Sequence, residues 1–347
     1  MLAVGAAAFA QLNEKNDRKE KAGEDWVLVC DNTNTCRLAG YQMESDDHPV
    51  SVLITREAGD VPMSVYLALE AKDQPLPAQV KLTIDGEDLG EVPLNKEGRG
   101  LFNAVQAQAL GKSIGKNTVP TINFTAGERV WRLSPNGARR RFIELEEKQK
   151  RINRPGSFTS PGDSTTPVLA AKKKPVLKLV VPPDDGSDSW SKGDAGFAEF
   201  NMELNKRLKN MSGGIKCHPL INNEEAVNEF TKFTVFKLTN DRVLLQSPCE
   251  YGTYNMTSIF AVVSGGEKRK IDKVYLISSF GESDDKAYGK GVIRGVEKPG
   301  GREDCTAVRE LSWDGYKFEE TKVLEKGLCR GFSKNPWELP SVVSDVQ

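Results

Sequence analysis

The chain has 347 residues and a net charge of −1, so it lacks the global field that draws in nucleic acid or an anionic membrane surface. Single cores stop growing at roughly 250–300 residues, and this length predicts two domains. A hydrophobic share of 38% fits a folded protein, and an even count of 6 cysteines fits a disulfide framework in an oxidising compartment.

Leu2 to Ala10 is a short alanine-rich apolar run ending Ala8-Phe9-Ala10, which resembles a signal-peptidase site before Gln11. Residues 1–10 are therefore expected to be the remnant of a signal peptide. The run is far shorter than the roughly 20 apolar residues that span a bilayer, and no later segment reaches that length. Residues 11–24 are charged and aperiodic, a flexible leader. Trp26, Leu28 and Cys30 then alternate onto one face of a strand, and Asp31 to Asn34 supply turn chemistry. This places Cys30 and Cys36 on facing arms of one hairpin, close enough for a disulfide. A metal pair is the alternative, but five residues intervene where zinc sites space cysteines by two to four. Val50 to Arg56, Ser64 to Glu70 and Val80 to Ile84 read as strands, the last ending at an Asp85-Gly86 hairpin turn. Phe102 to Leu110 reads as a short helix, Thr121 to Phe124 and Arg129 to Leu133 as strands. Ala138, Phe142, Leu145 and Gln149 lie at helical spacing. The pattern over 25–152 predicts an Ig-like β-sandwich.

Prolines 155, 161, 167, 175, 182 and 183, among many Ser, Thr and Gly residues, make 153–189 a semi-extended linker with a short strand at Val176 to Val181. Its lysines, Lys172 to Lys174, read as a solvated run rather than a docking patch. Residues 190–347 open with a helix whose apolar stripe is Phe197, Phe200, Leu204 and Leu208 and which ends at Gly213-Gly214. Strands follow at Phe233 to Leu238, Arg242 to Ser247, Ile259 to Val263 and Val274 to Ser278. Gly289 to Gly295 reads as a bent, glycine-rich strand. A two-residue Asp314-Gly315 turn pairs Trp313 with Tyr316 and Leu311 with Phe318. The whole is expected to be mainly β with a few short helices, the second domain an antiparallel meander with an N-terminal helix.

No catalytic signature emerges. The two histidines are His48, in an acidic loop, and His218, whose neighbour Cys217 would point to the opposite face of a strand. Gly111 to Thr118 mimics a phosphate loop but has three residues between its glycines where four are needed. Gly289-x-Gly291 lacks the helix of a dinucleotide site. Arg139-Arg140-Arg141, followed by Glu144, Glu146 and Glu147, reads as a salt-bridged helix face. Asp284-Asp285 and Glu303-Asp304 are carboxylate pairs of a kind that glycoside hydrolysis needs across a cleft, although 49 acidic residues produce such pairs by chance.

Trp26-x-x-x-Cys30-Asp31-Asn32-x-x-x-Cys36-Arg37, with Gly40-Tyr41 close by, resembles the opening of a bacterial family of exported proteins called domain of unknown function 1176. Val52 to Gly59, Cys249-Glu250-x-Gly252-x-Tyr254-Asn255, Trp313-Asp314-Gly315-x-x-Phe318 and Gly327-Leu328-Cys329-Arg330 extend the resemblance over nearly the whole chain. The first domain also looks like the invasion-associated locus B family, although that family's later cysteine pair has no match between Leu82 and Phe124. The resemblance implies export and a disulfide-bonded β architecture, and carries over no catalytic residue.

The expected pairing is Cys30–Cys36, Cys217–Cys249 and Cys305–Cys329. The Asp314-Gly315 register would set Cys305 opposite residue 324, so Gly327 must turn the chain sharply to bring Cys329 back. The functional expectation is a non-catalytic binding protein, periplasmic or secreted and monomeric, with no cofactor and no metal. Its partner would be a protein or envelope glycan met through Tyr251, Tyr254, Asn255 and Trp337. The alternative is an envelope-glycan hydrolase using carboxylates.

Overall fold

The computed structural model describes residues 24–71, 75–183, 186–210, 232–251, 253–264, 269–280 and 287–347. Expectations for 1–23, Cys217, His218, Gly213-Gly214 and Asp284-Asp285 lie outside these residues. The chain is mainly β, built as several antiparallel sheets with three helices among the described residues.

In the N-terminal half, β1 (Trp26–Cys30), β2 (Cys36–Tyr41), β3 (Val50–Arg56) and β4 (Ser64–Leu69) form a meander. β5 (Gln79–Ile84) and β6 (Glu87–Pro93) make the next hairpin, and β7 (Arg99–Leu101) returns to pair with β4. The helix α1 (Ala104–Gly115), β8 (Ile122–Ala126), β9 (Arg129–Leu133) and α2 (Ala138–Lys148) complete the half, giving a second sheet ordered β6-β5-β8-β9. Both sheets face one core. Alternate residues of the first sheet, Trp26, Leu38, Val50, Val52, Ile54, Val65 and Leu67, meet Val80, Leu82, Phe124 and Trp131 of the second. The helices add Leu110, Ile114, Phe142 and Leu145.

Local chemistry explains the turns. Asp85 and Gly86 both hold positive φ, 52° and 84°, as a two-residue hairpin turn of type I′ requires. The Asp85 carboxylate then accepts from Ser113 Oγ at 2.9 Å and Thr121 N at 3.1 Å, so this turn anchors the end of α1. The helix itself starts later than its hydrophobic pattern suggests. Asn103 and Gln106 form a reciprocal capping box, and the helix then runs to Gly115. Trp26 lies across from Gly40 in register, and a Cβ on Gly40 would sit 2.5 Å from the indole. The indole Nε1 donates to Ser134 O at 2.7 Å.

In the C-terminal half, β10 (Val176–Leu177) precedes β11 (Ser187–Ser191), α3 (Phe197–Asn210), β12 (Lys232–Lys237), β13 (Val243–Tyr251), β14 (Asn255–Ser264) and β15 (Lys270–Phe280). β11 to β15 form one sheet in chain order. Its one face packs on Phe197, Phe200, Leu204 and Leu208 of α3, with Trp190 and Phe233 completing an aromatic cluster. Its other face, through Leu244, Phe260, Val262 and Ile277, packs on Ile293, Leu311, Trp313 and Phe318 of a second five-stranded sheet. That sheet consists of β16 (Tyr288–Gly289), β17 (Val292–Glu297), β18 (Ala307–Trp313), β19 (Phe318–Glu325) and β20 (Leu339–Val343). β21 (Asp345–Val346) pairs in parallel with β10.

Three local expectations are corrected. Residues 289–295 are not one bent strand. Lys290 and Gly291 take φ of 51° and 79° and close a tight hairpin between β16 and β17. The Asp314-Gly315 hairpin also has a different register, with Trp313 opposite Phe318 and Leu311 opposite Glu320. The Asp314 carboxylate accepts from Tyr316 N at 2.7 Å and Lys317 N at 2.8 Å, so the loop spans four residues instead of two. A bulge between Glu310 and Leu311 shifts the pairing again to Val308 opposite Leu324. Gly327 serves space, not a turn. A Cβ there would lie 2.5 Å from Tyr41 Oη.

Residues 153–162 turn back on themselves, with Asn153 N donating to Ser160 O at 2.8 Å and Gly162 N to Arg154 O at 3.2 Å, and 163–183 is irregular apart from β10 and hydrogen-bonded on both sides. Gly59 N donates to Leu169 O at 2.8 Å and Lys172 N to Thr33 O at 3.1 Å. Further on, Leu179 N donates to Gln347 O and Val180 N to Trp313 O, both at 2.7 Å.

The Trp26–Gly40 contact generates a prediction. Gly40→Ala forces a methyl group into the indole and should destabilise the protein by roughly 1–3 kcal/mol, as overpacked cores do. Urea unfolding followed by tryptophan fluorescence measures this, and an unchanged midpoint would contradict the packing.

Candidate functional site

The outer face of the first sheet organises the residues singled out by the sequence. Val27, Val29, Ala39, Tyr41, Leu53 and Ala68 point away from the N-terminal core and are covered by Leu328, Phe332, Trp337 and Leu339. The segment between β19 and β20 therefore crosses the molecule and lies on the first sheet. At its start, Cys329 bridges Cys305 with Cα atoms 4.9 Å apart. Arg330 Nη2 meets Asp25 Oδ1 at 2.6 Å, with both side chains buried. Asp25 also accepts from Ser134 Oγ, and Gln42 Nε2 donates to Arg330 O at 2.6 Å. Burial raises the pKa of the Tyr41 hydroxyl at this interface.

The hairpin tip is the second point of attachment. Cys30 and Cys36 are direct cross-strand partners, 4.0 Å apart at Cα and disulfide-bonded. Asp31 Oδ1 accepts from Thr33 N at 2.9 Å and Thr35 N at 3.2 Å, which sets the turn, while Oδ2 pairs with Arg37 at 2.8 Å. Asn32 points outward and clamps the backbone of β20, donating to Val343 O at 3.0 Å and accepting from Val343 N at 2.9 Å. Asn34 Nδ2 donates to Ala170 O of the irregular stretch at 2.9 Å.

The four expected contact residues do not share one place. Trp337 is half-buried between the halves, its Nε1 donating to Ser51 Oγ at 2.7 Å and its ring facing Arg99 at 5.1 Å. Asn255 accepts from Lys298 N at 2.9 Å and donates to Lys298 O at 3.1 Å, a structural clamp on the loop after β17. Tyr254 is 49% exposed and lies over Gly301. The Tyr251 side chain lies outside the described residues. Cys249 is buried in the α3 core and is not a free thiol, while its expected partner Cys217 lies outside the described residues.

The remaining chemical motifs resolve into packing and pairing. Gly111 and Gly115 lie in α1, where a Cβ would come within 2.9 Å and 2.1 Å of Phe158. His48 sits in an exposed loop, its Nδ1 3.3 Å from Asp46. Arg140 and Arg141 both bind Glu24, and Arg141 also meets Glu144 at 3.2 Å. Burial pushes the Glu24 carboxyl up, but the two arginines outweigh it and hold the group below the usual carboxylate range. Glu303 bonds Lys298 at 2.8 Å, which lowers its pKa, the opposite of what a general acid needs. Asp304 is buried and accepts from Gly331 N at 2.7 Å. It lies beside Cys305 and Cys329, but sulfurs bonded to each other are not the thiolates a metal takes.

A family model described as protein of unknown function (DUF1176) matches residues 20–344. The chain belongs to this family. No curated protein and no solved structure matches it. Within this DUF1176 chain, the motif residues quoted from the sequence are mostly those that close the structure. Trp26 packs on Gly40, Asn32 grips β20, Tyr41 fills the space that Gly327 leaves, and Arg330 meets Asp25. Sequence reasoning missed the covering of the first sheet. Its signal was the run Val52-Leu53-Ile54, apolar on consecutive positions, which marks a strand buried on both faces.

Arg330→Met strands the Asp25 carboxylate in this interface. Removing one partner of a buried pair costs roughly 3–5 kcal/mol, and adding Asp25→Asn in the same chain should recover part of it. Chemical unfolding of the single and double variants tests this. A double variant no more stable than the single one would contradict the pairing.

Proposed function

We propose that this protein is an exported, non-catalytic binding protein of the cell envelope, periplasmic or secreted, acting as a monomer on a protein or glycan partner. The observation that carries this reading is the oxidised state of its cysteines. Among the described residues no cysteine is free, and two bridges close structural motifs. Such bridges form and persist in oxidising compartments. No described helix is long and apolar enough to cross a membrane. Tyr254, exposed beside the Asn255 clamp, is the contact residue this reading favours, because aromatic side chains supply large contact area at low entropic cost. The same reading takes the N-terminal half as an Ig-like sandwich of the invasion-associated locus B type. It is supported there by two antiparallel sheets facing one core. The proline-rich stretch marks the division between two domains.

Fractionation of cells expressing the native gene tests export. The expected result is processed protein outside the cytoplasm, cut near Ala10-Gln11, with no titratable thiol before reduction. Unprocessed, reduced protein in the cytosol would refute the reading.

A further inference from the structure

The inner row of β3 runs Val50, Val52, Ile54 and then Arg56. The first three are fully buried, and Arg56 is only 9% exposed. Arg56 lies opposite Cys36 in register, so a guanidinium occupies a position that the strand's alternation assigns to the core. Its Cζ is 5.9 Å from the Phe158 ring centroid, and among the described residues its guanidinium has no hydrogen-bond or ion-pair partner.

Two more arginines follow in the chain, and Arg151 lies within range of the like charges of both Arg56 and Arg154. Arg151, 3% exposed, donates to Gln149 Oε1 at 2.8 Å, Glu57 O at 3.0 Å and Gly59 O at 2.6 Å. All three acceptors are neutral, so they orient the group without balancing its charge. Arg154 follows on the same loop, and its Nη1 is buried without a partner. The buried carboxylate nearby, Glu146, is already occupied by Ser157 Oγ at 2.7 Å, Phe158 N at 2.8 Å, and Thr159 through both N and Oγ1. None of its bonds goes to an arginine. Asp60 is exposed and forms no ion pair among the described residues, but its charge and that of Glu146 attract both Arg56 and Arg151. Burial, and then the like charge of Arg56, bring Arg151 down to about 10, and burial lowers Arg56 as well. Three guanidiniums against these two carboxylates leave the site net positive, and among the described residues none of the three pairs directly with a carboxylate. Charge buried without a partner is costly, and guanidinium forks match the oxygens of a phosphoryl group in geometry and charge.

We propose that Arg56, Arg151 and Arg154, at the end of β3 beside Phe158, form a binding site for a phosphoryl dianion. Three planar guanidinium forks against the carboxylates of Glu146 and Asp60 favour a phosphoryl group, with three acceptor oxygens, over a carboxylate with two. The site stands independently of export and of the Tyr254 surface.

Isothermal titration calorimetry of the full chain at constant ionic strength tests it, with inorganic phosphate in one arm and glycerol 3-phosphate in another. One saturable site for either is expected. Stronger binding of the ester would identify a phosphorylated organic molecule as the source, and stronger binding of phosphate the free ion. Arg154→Gln, at a half-buried position that should not impair folding, is expected to weaken binding about tenfold with an unchanged melting temperature. Arg56→Met should weaken it similarly if that variant folds, and Arg154→Gln decides the matter if it does not. The proposal is overturned by no saturable binding in either arm, by equal binding of acetate, or by full affinity in Arg154→Gln.

Discussion

A sheet that is apolar on both faces has to be covered on both, because several strands of exposed Val, Leu, Ala and Tyr would be an open association surface. The first sheet of this protein is such a sheet. Its inner face is covered locally, by the second sheet and two helices that follow it in the chain. Its outer face is covered by residues nearly three hundred positions downstream, between Leu328 and Leu339. The rest of the architecture serves that long-range contact. The chain must traverse the α3 layer and the central sheet of the C-terminal half, then return to the first strands. The Cys305–Cys329 bridge fixes the return point, Arg330 locks onto Asp25 immediately after it, and Asn32 holds β20 against the hairpin tip.

This arrangement also explains why the recurring motifs carry structure. Asp31 folds the turn that Cys30 and Cys36 close, and Asn32 is left free to pair with another strand as a backbone group would. Tyr41 and Gly327 occupy one volume between them. Glu70 accepts from Ser333 N and Oγ, both at 3.0 Å or less, adding a polar contact at the rim of the same interface. Side chains that a sequence reader takes for ligand contacts, Trp337 and Asn255, prove to be cross-links between distant segments.

Much of the local structure was legible in the sequence. The Asp85-Gly86 turn, the Cys30–Cys36 hairpin and the amphipathic stripe of α3 follow from short-range rules about φ and periodicity. Where the reading failed, the deciding interaction was a side chain acting on backbone or on space. Asp314 lengthened its own turn through its carboxylate, a bulge moved the register of β18, and Gly111, Gly115 and Gly327 are small because Phe158 and Tyr41 lie against them. Contacts between residue 25 and residue 330 leave no periodic trace, so no local rule recovers them. Arg56 is an intermediate case. Counting in twos from Val50 places it on the inner face, but its charge marks it as a strand end unless the alternation is given more weight than the residue type.

Scanning calorimetry addresses the central claim that the C-terminal segment joins both halves into one cooperative unit. The account predicts a single unfolding transition whose calorimetric and van't Hoff enthalpies agree. Two resolved transitions, or a calorimetric enthalpy well above the van't Hoff value, would show that the halves unfold separately and would contradict it.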